Sequence, residues 1–193
     1  MAGGQPVARA GARLPRQLGM TDDTAAVDWS RWTVILLKPD CVRRGLVSEV
    51  LEWMQGLVTI VDSHTVIPTE DQVFAHYDDM LPLSEQLGRD VPAELRRIFI
   101  GNRVVVALGY GENAAERVRA VVGVTDPARA PSTTVRGRYA KDTLDKAVAE
   151  GRLVDNLIHT SDHSGVVERD FGIWYGPQRT HLLRPPAARG GAR

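Results

Sequence analysis

The sequence predicts a protein of mixed α and β structure, in which short strands alternate with helices along the chain. Trp32–Leu37 is almost continuously apolar, as in a central strand that is covered on both faces. Thr59–Ile67 alternates and is rich in β-branched residues, which favours a second strand. Between them, apolar residues from Val47 to Met54 recur at helical spacing. We therefore expect a sheet with helices packed on it.

The middle of the chain continues this alternation. Thr69 and Gln72 have the spacing of a capping box, which predicts a helix carrying Phe74, Tyr77 and Met80. Val104–Leu108 is apolar and predicts a third strand. These elements extend the predicted fold without fixing the order of the strands in the sheet.

A glycine turn follows the third strand. Gly109–Ala114 matches the pattern G-x-G-x-x-A, but a dinucleotide site needs an acidic residue ~20 positions later, and position 129 is Arg. We interpret the stretch as a turn, after which Asn113 caps a helix with Glu116 three residues on.

A fourth strand is predicted at Asn156–His159, where a short apolar run ends in a polar cluster. Ser161, Asp162 and Ser164 are typical helix-start residues, so we expect His159 at the junction of strand and helix, with its imidazole in a cleft. An ordinary histidine pKa is ~6.5, so much of the ring is neutral at pH 7 and able to attack an electrophile. A structural or surface histidine is the alternative.

Composition restricts the function classes. The chain has 193 residues, 43% of them apolar, and its 24 basic and 24 acidic residues give a net charge of zero. This balance disfavours a general nucleic-acid or membrane-surface binder. The lone Cys41 allows no internal disulfide and suits a reducing, cytoplasmic location. No apolar run approaches the ~20 residues of a membrane span, and no cysteine or histidine cluster supports a zinc site at His159.

Three separated motifs resemble the nucleoside diphosphate kinase family. Asn156-x-x-His159-x-Ser161-Asp162 is similar to that family's active-site signature, and Lys38-Pro39-Asp40 with Arg44–Val47 is similar to its other signature. Residues from Arg119 to Gly137 fall between them in the family's order and spacing. The similarity extends from about Trp32 to Trp174, most of the chain.

The resemblance implies a fold, a reaction and a set of site residues. The fold would be α+β, a ferredoxin-like sandwich with a four-stranded antiparallel sheet covered by helices. His159 would take the γ-phosphate of a nucleoside triphosphate as a phosphohistidine and pass it to a nucleoside diphosphate, in ping-pong fashion. Mg²⁺ would arrive on the nucleotide phosphates without protein metal ligands. The implied catalytic residues are His159, Lys38, Asp170 and Ser161, and the implied nucleotide-binding residues are Lys38, Tyr77, Arg119, Thr125, Arg136 and Asn156.

Several positions depart from the family pattern. Residues 81–99 contain no Phe-Phe pair, where the family places the aromatic ring that stacks on the base. Asp170 stands where the family has a glutamate that fixes the nucleophile's other nitrogen, and it is one methylene shorter. Thr160 and Cys41 replace smaller residues. The polar, helix-prone segment 140–154 is an insertion, expected beside the cleft or at a subunit contact.

These observations define the expectations for the whole chain. Residues 1–28 are expected to be a disordered extension, 29–183 the folded domain and 184–193 a flexible tail. By resemblance the partners are ATP and nucleoside diphosphates, with a homo-oligomer (hexamer or tetramer) and neither membrane nor specific nucleic acid. The alternatives are a kinase specialised for an unusual nucleotide and a catalytically weak, nucleotide-binding regulatory module.

Overall fold

The sheet has the predicted four antiparallel strands. The computed structural model describes residues 26–187. The strands are β1 (Trp32–Leu37), β2 (Thr59–Val66), β3 (Val104–Tyr110) and β4 (Ile158–Thr160). Their order is β2-β3-β1-β4, and each neighbouring pair is antiparallel, so β1 and β3 lie in the centre. This is the predicted α+β architecture.

Helices connect the strands and cover both faces of the sheet. They are α1 (Pro39–Arg43), α2 (Val47–Gln55), α3 (Glu70–His76), α4 (Ser84–Leu87), α5 (Val91–Phe99), α6 (Ala114–Val122), α7 (Val135–Tyr139), α8 (Leu144–Ala149) and α9 (Ser164–Trp174), with 3₁₀ turns at Trp29–Arg31, Leu81–Leu83, Pro127–Arg129 and Pro177–Leu182. The inserted segment 140–154 contains α8, in agreement with its helix-prone sequence.

The central strand β1 is buried on both faces, as its continuous apolar run predicts. Val34 and Leu36 belong to one core with residues of α3, α5 and α9. Ile35 and Leu37 belong to a second core with residues of α2, α6 and α7. Because successive side chains of a strand point to opposite faces, a strand between two helix layers is expected to be apolar at nearly every position, and Thr33 is the one polar residue of β1.

The capping box of α3 is confirmed, but the helix is shorter than predicted. Thr69 Oγ1 accepts from the Gln72 backbone at 3.2 Å, and Gln72 Oε1 accepts from the Thr69 backbone at 3.1 Å. The helix ends at His76, so Tyr77 is its C-terminal cap and Met80 lies beyond it.

The predicted capping box at Asn113 is wrong. Asn113 has a left-handed backbone with φ of 44°, and its side chain makes no capping hydrogen bond. Glu116 instead accepts from the Ser164 backbone N–H at 3.1 Å. This contact joins α6 to the first residue of α9, which sequence spacing within one helix cannot show.

The ends of the chain lie mostly outside the described residues. Of the predicted extension 1–28 only 26–28 are described, and of the predicted tail 184–193 only 184–187. Val27 packs against the first core, and the Asp28 side chain caps the turn Trp29–Arg31. Within 26–187, no helix is long and apolar enough to cross a membrane.

Candidate active site

His159 lies in the middle of β4, opposite Leu36 of β1. Its neighbours Ile158 and Thr160 are fully buried, so the alternation of the strand turns the imidazole of His159 into a cleft of about 420 Å³. Burial lowers the pKa of His159 well below its ordinary value, and the guanidiniums of Arg119 and Arg136 lower it further. The ring is therefore neutral at pH 7 and keeps a free electron pair.

The predicted helix start after His159 is wrong in detail. The helix α9 begins at Ser164, and its cap is His163, whose Nδ1 accepts from the Gly165 backbone at 3.1 Å. Ser161 still follows the strand, because its backbone N–H donates to Val34 O at 3.0 Å. His159 is thus held by the pairing of the edge strand β4 with β1 and not by a helix terminus.

A strained turn precedes His159. Leu157 has φ of 70°, which is uncommon for a residue other than glycine. The Ile158 N–H donates to Asn156 O at 2.8 Å, so these residues form a rare type of γ-turn. Asp40 Oδ2 accepts from the Leu157 N–H at 2.9 Å, and Leu157 O accepts from the Lys38 N–H at 2.8 Å. The strain, typically 1–3 kcal/mol, is offset by these contacts.

Arg136 holds the same turn from the other side. Its guanidinium is buried, and it donates to Ile158 O at 2.7 Å, to Gly123 O at 2.9 Å and to Asn156 O at 3.3 Å. Burial lowers the pKa of Arg136 to about 10, so the group remains cationic at pH 7. A guanidinium has five N–H groups, which leaves two for a ligand in the cleft.

Lys38 and Asn156 are joined by a hydrogen bond in the cleft. Lys38 Nζ donates to Asn156 Oδ1 at 2.9 Å and to Val154 O at 3.3 Å. Asn156 Nδ2 donates in turn to Thr125 O at 3.0 Å, which fixes the orientation of the amide. Burial lowers the pKa of Lys38, opposed mainly by the charge of Asp40. The third N–H of Lys38 is available for a ligand.

The structure brings most of the predicted site residues to one cleft. Its lining includes Lys38, Tyr77, Arg119, Thr125, Arg136, Asn156 and His159. Arg119 pairs with Asp162 at 3.1 Å, and both side chains are partly exposed. Such a surface pair contributes only ~0–1 kcal/mol, so a polyphosphate can take over Arg119 at little cost.

Asp170 and Ser161 lie behind the cleft and not in it. Asp170 Oδ2 accepts from Ser161 Oγ at 2.7 Å, and Oδ1 accepts from Arg169 at 3.3 Å. Burial raises the pKa of Asp170. Within 26–187 His159 makes no side-chain hydrogen bond, and the shorter Asp170 carboxylate does not reach the imidazole directly, in agreement with its missing methylene. The shorter carboxylate instead joins α9 to the residue after β4.

Exposed aliphatic side chains line part of the cleft. Leu87 of α4 and Leu144 and Val148 of α8 line the cleft, and they remain 38%, 40% and 53% exposed. The insertion therefore lies beside the cleft, one of its two expected positions. The insertion is polar in overall composition, so its composition did not indicate this apolar surface.

Residues 81–99 and the insertion 140–154, the two segments that depart from the family pattern, are hydrogen-bonded to each other. Arg89 donates to Arg152 O, and the Leu153 N–H donates to Glu94 Oε2 at 3.0 Å. Residues 81–99 and the end of the insertion thus form one continuous wall of the cleft.

Two rings pack against that of His159: Tyr77, which the resemblance assigned to the site, and His76, which was not among the predicted site residues. Their centroids lie 5.4 and 4.5 Å, respectively, from that of His159. Asp40 stood in a recognised motif, but its bond to Leu157 connects residues 117 positions apart. No local pattern reports such a contact.

A neutral imidazole facing a lysine and two arginines in one cleft is the arrangement of a phosphotransferase, because phosphoryl transfer depends on positioning and on neutralising phosphate charge. Known proteins agree. The sequence model described as Nucleoside diphosphate kinase matches residues 31–180. Nucleoside diphosphate kinase from Pyrobaculum aerophilum is 32% identical over 175 residues, covering 74% of this chain and 93% of that protein. The enzyme from a Nocardioides species is 31% identical over 147 residues, covering 74% and 95%.

Solved structures show the same likeness. The transition-state mimic of nucleoside-diphosphate kinase from Borrelia burgdorferi, with bound vanadate and ADP, has a TM-score of 0.69 at 26% identity and covers 77% of this chain and 88% of that one. The crystal structure from Pyrobaculum aerophilum has a TM-score of 0.62 at 30% identity, covering 77% and 97%. The chain belongs to the nucleoside diphosphate kinase family. The predicted family, fold and enzyme class, nucleoside-diphosphate kinase, are confirmed.

Proposed function

We propose that His159 carries the γ-phosphate between a nucleoside triphosphate and a nucleoside diphosphate as a phosphohistidine. The observation that supports this most is the neutral imidazole in a cleft lined by Lys38, Arg119 and Arg136. The electron pair of a ring nitrogen forms the N–P bond while the bond to the β-phosphate oxygen breaks, and the diphosphate leaves with that electron pair. A second diphosphate then takes the phosphoryl group by the reverse step.

The cations have separate roles in this reaction. Arg119 is partly exposed and would exchange its bond to Asp162 for bonds to the phosphate oxygens when a nucleotide binds. Arg136 is fixed by three carbonyls, so its charge is preorganised for the transferring group. Lys38 and Asn156 lie together and would hold the sugar hydroxyls, while the exposed Thr125 would donate from its hydroxyl.

Mg²⁺ would belong to the substrate. No group of three or more His, Cys, Asp or Glu side chains in the described part of the chain could hold a metal ion. The nucleotide phosphates would carry Mg²⁺ into the cleft, where it offsets their charge. The cytoplasmic location and the hexamer or tetramer stay predictions, and light scattering on the purified chain would measure the oligomeric state.

Labelling with γ-labelled ATP and Mg²⁺, without an acceptor, tests the proposal. We expect acid-labile, base-stable label that is absent in His159→Ala and that moves to an added nucleoside diphosphate. His181→Ala is the matched control, because His181 is exposed in the C-terminal turn and its side chain hydrogen-bonds to Gln178 O of the same turn. Nucleotide binding without any label would refute the enzyme mechanism and favour the regulatory module.

The aliphatic residues that line the cleft are compatible with a wide range of nucleotide bases. Leu87, Leu144 and Val148 offer apolar contact but no side-chain hydrogen bond that would select one base. We expect purine and pyrimidine diphosphates to accept the label with similar efficiency. Val148→Asp should weaken all of them, while Ile67→Asp, at an exposed position outside the cleft lining, should not. Acceptance of one base alone would instead support the specialised kinase.

A further inference from the structure

His76 lies at the centre of a cluster of aromatic rings behind the nucleophile. It ends α3, and its side chain is 1% exposed. Its ring centroid lies 4.5 Å from that of His159, 4.9 Å from that of Tyr77 and 5.3 Å from that of Trp174, with interplanar angles of 77°, 85° and 74°. Neither His76 nor Trp174 lines the cleft. They can influence the reaction only through the rings that do.

The hydrogen bond from Trp174 decides where His76 carries its proton. Trp174 Nε1 lies 3.1 Å from His76 Nδ1, and an indole N–H can only donate. His76 Nδ1 is therefore the acceptor and holds no proton. Burial lowers the pKa of His76 to about 3, so the ring is neutral at pH 7 and its single proton is on Nε2. Asp170 Oδ1 lies 3.8 Å from the same Nδ1 and receives no proton from it.

The orientation of His159 depends on these rings. Its imidazole makes no side-chain hydrogen bond with the residues described, so packing against His76 and Tyr77 fixes its angle. Edge-to-face packing is directional, because the edge of one ring carries positive charge and the face of the other negative charge. The tautomer of His76 sets the charge that its ring presents to His159.

We propose that Trp174 and His76 are positioning residues for phosphoryl transfer: Trp174 fixes the tautomer and the angle of His76, and the ring of His76 holds His159 in its reactive orientation. This proposal rests on the proposed role of His159 as the nucleophile. It assigns Trp174, at the end of α9, an effect on the reaction without contact with the nucleotide. It therefore predicts a change in kcat and not in KM.

Two variants test separately the N–H donor of Trp174 and the ring of His76. Trp174→Phe keeps an aromatic ring and removes the N–H donor. His76→Gln keeps an acceptor for Trp174 and removes the ring. We expect both to slow labelling of His159 on the order of tenfold to a hundredfold, as small misplacements of a reacting group do, with KM within about twofold of wild type. Trp53→Phe is the matched control, since Trp53 packs on Tyr139 in the second core.

Nitrogen NMR of protein with ¹⁵N-labelled histidines tests the tautomer directly and needs no activity. The His76 signals are assigned by their loss in His76→Gln. We expect a proton on Nε2 alone in wild type and in Trp53→Phe, and a mixture of tautomers in Trp174→Phe. A proton on Nδ1 in wild type overturns the proposal, as does a Trp174→Phe protein with unchanged tautomer and labelling rate.

The two proposals fail in different ways. If the wild-type protein takes up no label, the proposed function is wrong, while the NMR spectrum still shows whether Trp174 fixes His76. If Trp174→Phe does not fold, the wild-type spectrum and the labelling rate of His76→Gln decide. Normal labelling of a folded His76→Gln would contradict the positioning role.

Discussion

Replacing Arg136 by lysine should loosen the turn that precedes His159. The guanidinium reaches the carbonyls of Ile158, Gly123 and Asn156 at 2.7, 2.9 and 3.3 Å from three different nitrogens. A lysine ammonium is a compact point charge and cannot reproduce this fork. We expect it to keep one of the three contacts, so that at least two carbonyls in a buried region lose their charged donor.

The loss can be given a magnitude. A hydrogen bond to a charged group contributes ~1.5–3 kcal/mol. Two lost bonds therefore cost roughly 3 kcal/mol at the lower end of that range. The strained γ-turn at Leu157 contributes to this loss, because Arg136 bonds the carbonyls on either side of it. For a chain of this size, 1 kcal/mol shifts Tm by ~2–4 °C, so we expect a decrease of about 6–12 °C.

Urea and thermal unfolding at equal protomer concentration measure the effect. Arg138→Lys is the matched control, because Arg138 lies on the same helix, is exposed and contacts the ring faces of Trp53 and Tyr139. We expect the control to stay within about 0.5 kcal/mol of wild type. If Arg136→Lys is equally stable, the three carbonyl contacts do not hold the turn, and the preorganised role of Arg136 is refuted.

Three further predictions concern pH and the turn. Labelling of His159 should stay constant as pH falls through ~6.5, the ordinary histidine pKa, because burial lowers the pKa of this ring; a rate that halves near that pH would contradict a neutral nucleophile. The pKa of His76 is lowered to about 3 in the folded protein. Between that pH and ~6.5 His76 is therefore protonated in the unfolded chain but not in the folded one. The free energy of unfolding must then decrease as pH falls through this range. The contribution between pH 7 and pH 5 is about 2 kcal/mol, and urea unfolding of His76→Gln should lack it, whereas equal pH dependence would refute a buried neutral His76. Asp40→Ala should cost ~1–3 kcal/mol by leaving the Leu157 N–H without its acceptor; Asp40→Asn keeps an oxygen there and should unfold close to wild type, and equal losses in both would point to charge instead.

Local patterns predicted the elements that depend on local chemistry. The run Trp32–Leu37 is a buried central strand because alternate residues enter two cores, and Thr69 with Gln72 caps α3 through contacts three residues apart. The same reasoning failed at Asn113, where the backbone is left-handed and Glu116 bonds the first residue of α9. A capping motif describes only one helix and cannot exclude a partner from another.

The site was predictable as a set of residues and less so as a set of contacts. Family resemblance named the residues that line the cleft, and the structure brings them together. It also placed Asp170 at the position of a longer glutamate, and this carboxylate bonds Ser161 and Arg169. The bond between Trp174 and His76 joins residues 98 positions apart, and a residue pattern gives no sign of such a pair.

Residues 81–99 and the insertion form one wall of the cleft, and their hydrogen bonds make the two segments move together. Arg89 and Glu94 are each bonded to backbone of the insertion's last residues, Arg152 and Leu153. Neither segment can move away from the cleft without breaking the bonds to the other. A chain shortened at the insertion would therefore also lose the bonds that hold residues 81–99 in place.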